Sequence, residues 1–426
     1  MNSTHPEYEA ALPAWVRARD VLAGEDAVKA AGEKYLPRMD SQSEEEYAAY
    51  KARASFFGAT ARTLEEYLDL VFRRAPALAL GAEEKLKAFV ADCDWWGLEF
   101  VRYARRVVGE VLGVGRAGSL VLWEQSGRPV VSLWRAEDIV DWGLERVDGR
   151  INLAYLALRE GKRMRVFRLV EGACFHELLK QQEDGAWCVL ARFALKRGDT
   201  PLPFIPFVFH GPRHSRPEPD KLPLGDIIAA NLDHYRLDAD FKHGLHFAAL
   251  PTAWVSGFDK ATPLRIGSSA AWVSDIPGAS AGFLEFSGAG LERIERALEK
   301  VEKRMALLGA RMLEVNGTDG EKAQRGELCG LGNVVASLNQ SLSRVLQLAH
   351  WWVAGSDAAE VSFAMNADLS VKAMSGEVLT AVVSAWRSGA ISRDSMLEML
   401  KRGEVLPEGR TVAQERALIH RTGGSQ

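Results

Sequence analysis

The most regular pattern of hydrophobic and polar positions in the chain lies between residues 291 and 313. Apolar residues there follow one another at alternating spacings of 3 and 4, and Glu, Lys and Arg fill most other positions. The seam residues are Leu291, Ile294, Leu298, Val301, Met305, Leu308 and Met312. Three heptad repeats of this kind predict an amphipathic helix that packs against another helix. No other segment has an equally regular heptad run, so the pattern leaves the packing partner open.

About the first 110 residues carry helical patterns with recognisable ends. Ser43, followed three residues later by a glutamate, has the spacing of a capping box, and Thr63 repeats this pattern at a second predicted helix. The apolar segment "LEFVRYARRVVGEVLGVG" predicts a further helix that Gly113 and Gly115 end. We therefore expect a mostly helical N-terminal part.

Between residues 118 and 210 the period changes to that of strands. Short β-branched or aromatic runs alternate with glycines, which predicts an antiparallel sheet. These glycines are Gly127, Gly149, Gly161, Gly172 and Gly185. Four prolines then make residues 210–223 a predicted loop. Asp226 can cap the next predicted helix, which ends at Pro251.

The order of the remaining elements is informative. Residues 251–290 are rich in glycine and serine with short strand-like pieces, the heptad helix follows, and 315–332 is a polar, glycine-rich interruption. A long helix, a strand and two or three helices ending near His420 complete the chain. Two long helices joined by a small β unit cannot bury both faces alone, so we expect the heptad seam to face a neighbouring subunit.

Charge and cysteine content restrict the class of protein. The net charge is −4, from 53 basic and 57 acidic residues, whereas proteins that grip nucleic acid electrostatically are clearly basic. The cysteines form no CxxC pair, which argues against a zinc ribbon or a disulfide framework and fits a reducing cytosol. They are Cys93, Cys174, Cys188 and Cys329. Without a secretory leader pattern or a run of 18 apolar residues, we expect a soluble protein with no membrane partner.

The sequence "GVGRAG", from Gly113 to Gly118, matches the GxGxxG pattern of dinucleotide-binding folds, and Asp138 follows 20 residues later. That fold requires a strand before the glycines and a helix after them. Here a predicted helix precedes the glycines and a predicted strand follows. The order favours a glycine-terminated helix that enters a sheet.

The sequence "GASAG" around Ser280 matches the GxSxG nucleophile elbow of serine hydrolases. The elbow needs a helix directly after the serine, and an acid and a histidine downstream. A strand-like, glycine-broken segment follows instead, and the later histidines are His350 and His420. A turn in a small β module is the favoured interpretation.

Polar residues on the predicted helix after residue 226 could be interpreted as a metal site. They are His234, Asp238, Asp240, His243 and His246. Paired histidine ligands on a helix favour the i, i+4 spacing, whereas His243 and His246 are i, i+3. We expect helix polar residues and no metal.

Lys322 and Arg325 are cations between glycines in the 315–332 segment. Composition alone favours a solvated loop, and a mobile loop that touches a polyanion is the alternative. The sequence also lacks GxxxxGK[ST] and HExxH patterns, so it predicts neither an ATP motor nor a zinc protease.

Four stretches of the sequence resemble the portal proteins of tailed double-stranded DNA bacteriophages, in a siphophage-type subgroup once catalogued as a domain of unknown function. They are "HPEYEAALPAWVRARDVLAGEDAVKAAGEKYLPR", "RPVVSLWRAEDIVDW", "KLPLGDIIAANLDHYRLDADFKHGLHFAALPTAWVSG" and "ISRDSMLEMLKRGEVLP". The third is fairly specific in its order of Pro, Leu, Asn, His, Tyr and Asp. Together the stretches span nearly the whole chain.

The resemblance implies an α+β portal fold with an α/β wing, long stem helices, a small β-containing clip, a tunnel loop and a short helical crown. The implied division is residues 1–225 wing, 226–250 first stem helix, 251–290 clip, 291–314 second stem helix, 315–332 tunnel loop, 333–375 long wing helix and strand, and 376–426 crown. The wing would begin with a helical part and continue as an antiparallel sheet. The seam residues from Leu291 to Leu308 would then pack against stem helices of the same and adjacent subunits.

The resemblance also implies partners and sites. A ring of about twelve subunits would stand at one capsid vertex of the virion after assembly in the host cytoplasm, with no enzymatic activity, cofactor or metal. Its channel would carry double-stranded DNA past Asn316, Thr318, Lys322 and Arg325 during packaging and ejection. The clip would dock the terminase motor and then a head-to-tail adaptor, and the ring would meet major capsid or scaffolding protein. The implied clip contacts are Phe258, Lys260, Leu264, Arg265 and Ile266.

A soluble enzyme is the main alternative, and a scaffold protein of unknown partner is a third hypothesis. In the enzyme interpretation Ser280 is the nucleophile of a hydrolase, and the helix at 291–313 makes a dimer through an antiparallel coiled coil. The portal and enzyme hypotheses differ in the number of subunits and in whether a serine-directed probe labels Ser280.

Overall fold

A computed structural model defines the fold, and it describes the greater part of the 426 residues. The described residues are 4–123, 127–147, 149–248, 252–258, 272–284, 289–313, 330–356, 359–367, 376–402, 405–406 and 410–422. The chain divides into two compact units, Met1–Ala367 and Asp368–Gln426. Helices and strands both contribute to the first unit, so the α+β class expected from the sequence holds there.

The helices and strands follow one another along the chain as the change of period predicts. The helices are α1 (Pro6–Ala23), α2 (Glu25–Ala30), α3 (Glu44–Arg53), α4 (Ala59–Phe72), α5 (Glu84–Ala91), α6 (Phe100–Val114), α7 (Gly225–Ala248), α8 (Ala289–Leu313), α9 (Leu331–Ala354), α10 (Gly376–Arg387), α11 (Arg393–Arg402) and α12 (Val412–Thr422). The strands are β1 (Ala77–Ala79), β2 (Ala117–Trp123), β3 (Pro129–Arg135), β4 (Ile139–Val147), β5 (Arg150–Glu160), β6 (Arg163–Val170), β7 (Ala173–Gln181), β8 (Trp187–Ala194), β9 (Lys196–Arg197), β10 (Thr200–Pro201), β11 (Phe207–His210), β12 (Thr252–Ser256), β13 (Ser280–Leu284) and β14 (Ser362–Ala364). No helix in the described part of the chain is long and apolar enough to cross a bilayer.

Two larger antiparallel sheets make up most of the β part of the first unit, and the described residues also form three two-stranded sheets. A three-stranded sheet has the order β11-β2-β3, and a five-stranded sheet has the order β4-β5-β6-β7-β8, so its successive strands are neighbours. Its hairpins turn at glycines in the left-handed region, such as Gly161 (φ 61°) and Gly172 (φ 76°). Glycine adopts that conformation without steric cost, which is why the glycine spacing predicted this sheet.

A chain of buried hydrogen bonds joins the three-stranded sheet to the helices on it. Tyr103 of α6 bonds Ser119 of β2 at 2.5 Å, and the Ser119 hydroxyl bonds His210 Nε2 of β11 at 2.6 Å. The other ring nitrogen of His210 bonds the hydroxyl of Ser341 in α9 at 2.7 Å. Because polar groups buried without partners are costly, this chain fixes the registry of α6, the sheet and α9.

The glycines of "GVGRAG" all have structural reasons. Gly115 adopts φ 82° and caps α6, with its N–H bonded to Val111 O. A Cβ on Gly118 would lie 2.1 Å from the ring of Phe207, and a Cβ on Gly113 would lie 2.8 Å from Leu22. The motif thus ends a helix and admits a packed aromatic ring, in agreement with the interpretation of a helix entering a sheet.

Arg116, in the same motif, is 2% exposed. Its guanidinium lies 4.1 Å from the ring centroid of Trp142 and within 6 Å of the rings of Trp15 and Phe209. Burial lowers the pKa of Arg116 to about 9. No described residue hydrogen-bonds its guanidinium nitrogens, so cation–π contacts hold it between α1, β4 and β11.

Several element boundaries differ from the sequence expectations. The capping box at Ser43 forms as predicted. Thr63 is not a cap, because α4 begins at Ala59 and the Thr63 hydroxyl donates to Ala59 O within the helix. Asp226 is not a cap either, since α7 begins one residue earlier. The described residues of "AAWVSDI", expected to be strand-like, are irregular.

The second unit contains α10, α11 and α12, in line with the two or three helices expected at this end. Its buried apolar residues are Val382, Met396, Leu397 and Val412. Trp386 and Ile419 pack against these residues while partly exposed. A cluster this small supplies little apolar burial compared with the core of the first unit.

His176 stands in a ladder of aromatic rings across the five-stranded sheet. Its ring stacks on Phe167 at 4.4 Å and meets Phe193 edge-on at 4.8 Å. Burial, with a smaller contribution from Arg165, lowers the pKa of His176 to about 4, and burial lowers the pKa of His210 to about 3. Both rings are therefore neutral in the folded protein near neutral pH.

These pKa values set a pH dependence of stability. The unfolded chain binds a proton at each histidine near pH 6.5, whereas the folded chain does so only near pH 4 or below, so the free energy of unfolding falls as pH falls through that window. Each histidine should contribute a loss of about 2 kcal/mol between pH 7 and pH 5. We expect His176→Phe to remove its own share while keeping the ring stack. Urea unfolding of the wild type and variant at both pH values measures this, and equal losses would contradict it.

Candidate functional site

Helix α7 is fixed to the body of the first unit by a buried amide. The Asn231 side chain is fully buried, and its Oδ1 accepts hydrogen bonds from the Thr60 N–H (3.1 Å) and hydroxyl (2.9 Å). Its Nδ2 donates to Phe57 O at 2.7 Å. This residue therefore joins α7 to the first turn of α4 and to the segment before it.

A second set of polar contacts holds α7 about two to three turns further along. Asp240 accepts a hydrogen bond from the Tyr50 hydroxyl at 2.5 Å, and Asp238 accepts one from the Ser55 N–H at 2.7 Å. Burial and the bond to Asp240 raise the pKa of Tyr50, so the phenol keeps its proton for this contact. Lys242 closes the set with bonds to Ser55 Oγ (2.5 Å) and Asp238 (3.1 Å).

These contacts show what the polar residues of α7 do. Asp238 and Asp240, which the sequence offered as possible metal ligands, bond the N-terminal helical part instead. His243 meets the ring of Tyr50 edge-on at 5.1 Å, and burial followed by nearby Arg53 lowers the pKa of His243. Sequence reasoning missed the anchoring role of Asn231, and its position among apolar neighbours on one helix face was the available indication.

Beyond Lys242 the helix leaves the body. Residues 227–239 include many buried side chains, whereas Leu245 is 41% exposed and Phe247 is 55% exposed. The last described turn of α7 thus carries apolar side chains in contact with solvent. A helix stabilised by tertiary packing at one end projects from the protein at the other end.

Helix α8 runs back antiparallel to α7. Leu291, near the start of α8, lies against Gly244, where a Cβ would come within 2.5 Å of it. Glu302 accepts a bond from His234 at 3.3 Å, nearer the body. Tyr67 of α4 donates to Gly309 O at 2.5 Å and fixes the end of α8 to the body.

The heptad seam of α8 faces α7 of the same chain but is not fully covered by it. Among the seam residues whose side chains the structure describes, only Leu298 (9% exposed) and Met305 (5% exposed) are buried. The half-buried seam residues are Leu291, Ile294, Val301 and Leu308. The outer face carries the expected exposed pairs Glu292–Arg296 and Glu299–Lys303, whose contribution to stability is small.

A two-stranded β module stands between the two helices in the chain. Strands β12 and β13 pair antiparallel from Thr252↔Leu284 to Ser256↔Ser280. Trp254 is 42% exposed and Phe283 is 54% exposed, and Val273 in the same module is 72% exposed. The far end of the projecting pair is therefore followed by a module with an apolar surface.

The predicted clip and tunnel-loop residues fall mainly outside the described residues. Phe258 is half-buried at the end of the β12 segment. The clip residues outside the described part are Lys260, Leu264, Arg265 and Ile266. The tunnel-loop residues outside it are Asn316, Thr318, Lys322 and Arg325.

The geometry around Ser280 is not that of a nucleophile elbow. Ser280 is the first residue of β13, pairs with Ser256 and is followed by strand rather than by a helix. Among the described residues no group of three potential metal ligands is found either.

Comparisons with known proteins bear on this helix pair. A family model described as a domain of unknown function, DUF4055, matches residues 223–353. That range begins two residues before α7 and ends in the last turn of α9, so it contains both projecting helices and the β module. It covers less than half of the chain. No curated protein matches the sequence.

Solved structures provide distant likenesses. The chain is similar to one in the virion of a native gene transfer agent particle, at 14% identity and a TM-score of 0.47, covering 91% of this chain and 99% of that one. It is also similar to a chain in the neck of an empty gene transfer agent particle computed with C6 symmetry. The identity is 14% and the TM-score 0.44, and the match covers 82% of this chain and 90% of that one. A chain in the neck of a native particle computed with C12 symmetry matches at 14% identity and a TM-score of 0.39. That match covers 86% of this chain and 95% of the other.

The anchor of α7 is directly testable. We expect Asn231→Ala to lower the free energy of unfolding by roughly 3 kcal/mol, because it removes three hydrogen bonds and leaves buried groups of Thr60 and Phe57 unpaired. Asp233→Ala, at an exposed position on the same helix, should change it by less than about 0.5 kcal/mol. Chemical denaturation measures both variants. A loss at Asn231 no larger than that at Asp233 would refute the anchoring role.

Proposed function

We propose that the chain is a portal protein, a non-enzymatic subunit of a ring that conducts double-stranded DNA. One observation carries this proposal. The helices α7 and α8 leave the body as an antiparallel pair and lead into a β module, and their apolar side chains remain half-exposed in a single chain. Copies placed side by side would cover this surface.

The physical reason is the cost of apolar surface in water. Each Å² of apolar surface removed from water contributes about 25 cal/mol. Leu245, Phe247 and Phe283 keep 41–55% of their surface exposed, which favours association. The family model matches residues 223–353, which contain this helix pair and the β module. The match supports the view that this region is the part shared with the family. The resemblance of four sequence stretches to phage portals supports a ring of the portal kind.

The net charge of −4 suits a conduit. A protein that neutralised many phosphates would hold the duplex tightly and stall its movement. In the proposed ring, the segment with Lys322 and Arg325 faces the passing DNA and the segment with Leu264 and Ile266 docks the packaging motor and later an adaptor. The proposed location is a capsid vertex of the virion, reached after assembly in the host cytoplasm.

The number of subunits is the first test. We expect the purified protein to form rings with a central hole and eleven to thirteen subunits, because the exposed apolar surface is covered only by neighbours. Twelve copies of the 46.9 kDa chain give a ring of about 560 kDa. Negative-stain microscopy and native mass spectrometry of one sample measure both properties.

The control for that test is enzymatic. A fluorophosphonate probe should leave Ser280 unlabelled in the ring. A dimer that the probe labels at Ser280 would establish the hydrolase alternative, and a monomer at micromolar concentration would refute the ring.

The proposed DNA contact has its own test. We expect Lys322→Ala combined with Arg325→Ala to leave rings intact and to lower the amount of packaged genome severalfold, because cations that guide the duplex are removed. The matched control is Lys300→Ala with Lys303→Ala on the exposed face of α8. Quantitative PCR of protected DNA measures packaging. Full packaging by the 322/325 variant would exclude the DNA contact.

A further inference from the structure

Trp96 is the most exposed large hydrophobic residue described in this chain. Its side chain is 93% exposed, in the short loop "DCDWWGLE" between α5 and α6. Large aromatic side chains seldom stand free in water, and tryptophan is enriched among the residues that dominate protein–protein binding. The loop has no part in the helix pair described above.

The loop that carries Trp96 is held in one conformation by several bonds. Asp94 Oδ1 accepts hydrogen bonds from the backbone N–H groups of Trp96 (2.9 Å) and Leu98 (3.1 Å). Asp92 accepts one from the Gly97 N–H at 3.0 Å and pairs with Arg128 at 2.7 Å. The exposed indole is therefore presented on a rigid support, which reduces the entropy lost on binding.

Backbone strain in the same loop also points to a function. Trp95 adopts φ 69°, in the left-handed region that a bulky residue rarely enters. Its ring lies 5.0 Å from the Arg128 guanidinium, so the strained residue is itself held in place. Strain of this kind is retained at sites where the surroundings over-determine the conformation, commonly at binding sites.

A groove elsewhere on the first unit fits such a side chain. It has a volume of about 800 Å³ and is lined by β11, by the tips of β4 and β5, by α9 and by the loop before α7. Ile151 is 63% exposed and Leu144 is 44% exposed on its wall. Its charged lining residues are Arg216, Arg344 and Glu218. The groove thus combines apolar walls with an excess of positive charge.

The loop and the groove lie at opposite edges of the three-stranded sheet. The carbonyl of Cys93 accepts a bond from the Val131 N–H of β3 at 2.9 Å, which places the loop along one edge strand. The groove contains residues of β11, the other edge strand. A projection at one edge and a recess at the opposite edge allow identical copies to join head to tail, and such contacts form a ring when the rotation between copies closes.

We propose that Trp96 of one copy inserts into the β11 groove of the next copy. The charges agree in sign, because residues 92–99 carry three carboxylates and no basic residue, whereas the groove has two arginines and one glutamate. The exposed apolar walls supply the buried contact of an aromatic anchor. This inference rests on the proposed ring and names a contact outside the helix pair.

The first experiment compares ring formation in variants that fold normally. Trp96→Ala should raise the protein concentration at which half of the subunits are in rings by about 30-fold or more, as expected for loss of an aromatic anchor. Ile151→Glu, which puts a negative charge in the groove, should act in the same direction. Leu190→Ala, at an exposed apolar position of β8, should change it by less than about twofold. Because Trp96 is almost fully exposed, circular dichroism and melting should match the wild type.

The second experiment detects the contact with Trp96, Leu144 and Ile151 unchanged. Glu99→Cys and Arg216→Cys are made in separate, differently tagged chains that carry Cys188→Ser and Cys329→Ser. Co-expressed chains should join through a short bis-maleimide cross-linker, and Glu99→Cys paired with Val170→Cys should not.

The outcomes separate the two proposals. Wild-type rings that keep their stability in Trp96→Ala and give no cross-link would overturn the Trp96 contact and leave the ring standing. A wild-type monomer would overturn both. Rings that form normally in Trp96→Ala but no longer bind a capsid protein would assign Trp96 to that partner and also overturn the contact.

Discussion

The structure of the first unit depends on how α7 is held along only part of its length. Asn231 is buried without access to water, so its three hydrogen bonds must form within the protein, and they fix the helix to α4. Asp238 and Asp240 extend this attachment to the fourth and fifth turns of the helix. A rigid helix fixed there continues in a straight line, so its last turns leave the body. Helix α8 packs against these turns and therefore projects with them.

The heptad seam of α8 follows from the same constraint. Its period predicted an amphipathic helix of nearly the observed length, and its apolar side faces α7. One straight neighbour covers only a narrow stripe of a helix, which leaves Ile294 and Val301 half-buried in the single chain. The incomplete burial therefore results from the geometry of a two-helix pair and not from a faulty pattern.

Local pattern predicted most of the fold, and long-range contacts account for what it missed. Capping at Ser43, the turn at Gly115 and the glycine-spaced meander are set by neighbouring residues, so they could be predicted. The pairing of β1 with β14 joins Leu78 to Phe363 across most of the chain, and no local pattern encodes it. The apolar neighbours of Asn231 indicate that it is buried, but its partners could not be predicted because they lie 171 and 174 residues away. Trp96 looks in sequence like an ordinary core aromatic, and only the turn that Asp94 holds leaves it in solvent.

The arrangement of exposed apolar surface favours a ring over a dimer. In a two-fold dimer the same patch serves both subunits, so both halves of each contact must lie on one face. The loop with Trp96 and the groove at β11 lie at opposite edges of one sheet, so the contact proposed between them is head to tail. Head-to-tail joining satisfies both edges of every subunit only when the circle closes. A linear row of subunits would leave one Trp96 and one groove unpaired at its two ends. Closure of the row into a ring pairs them with each other.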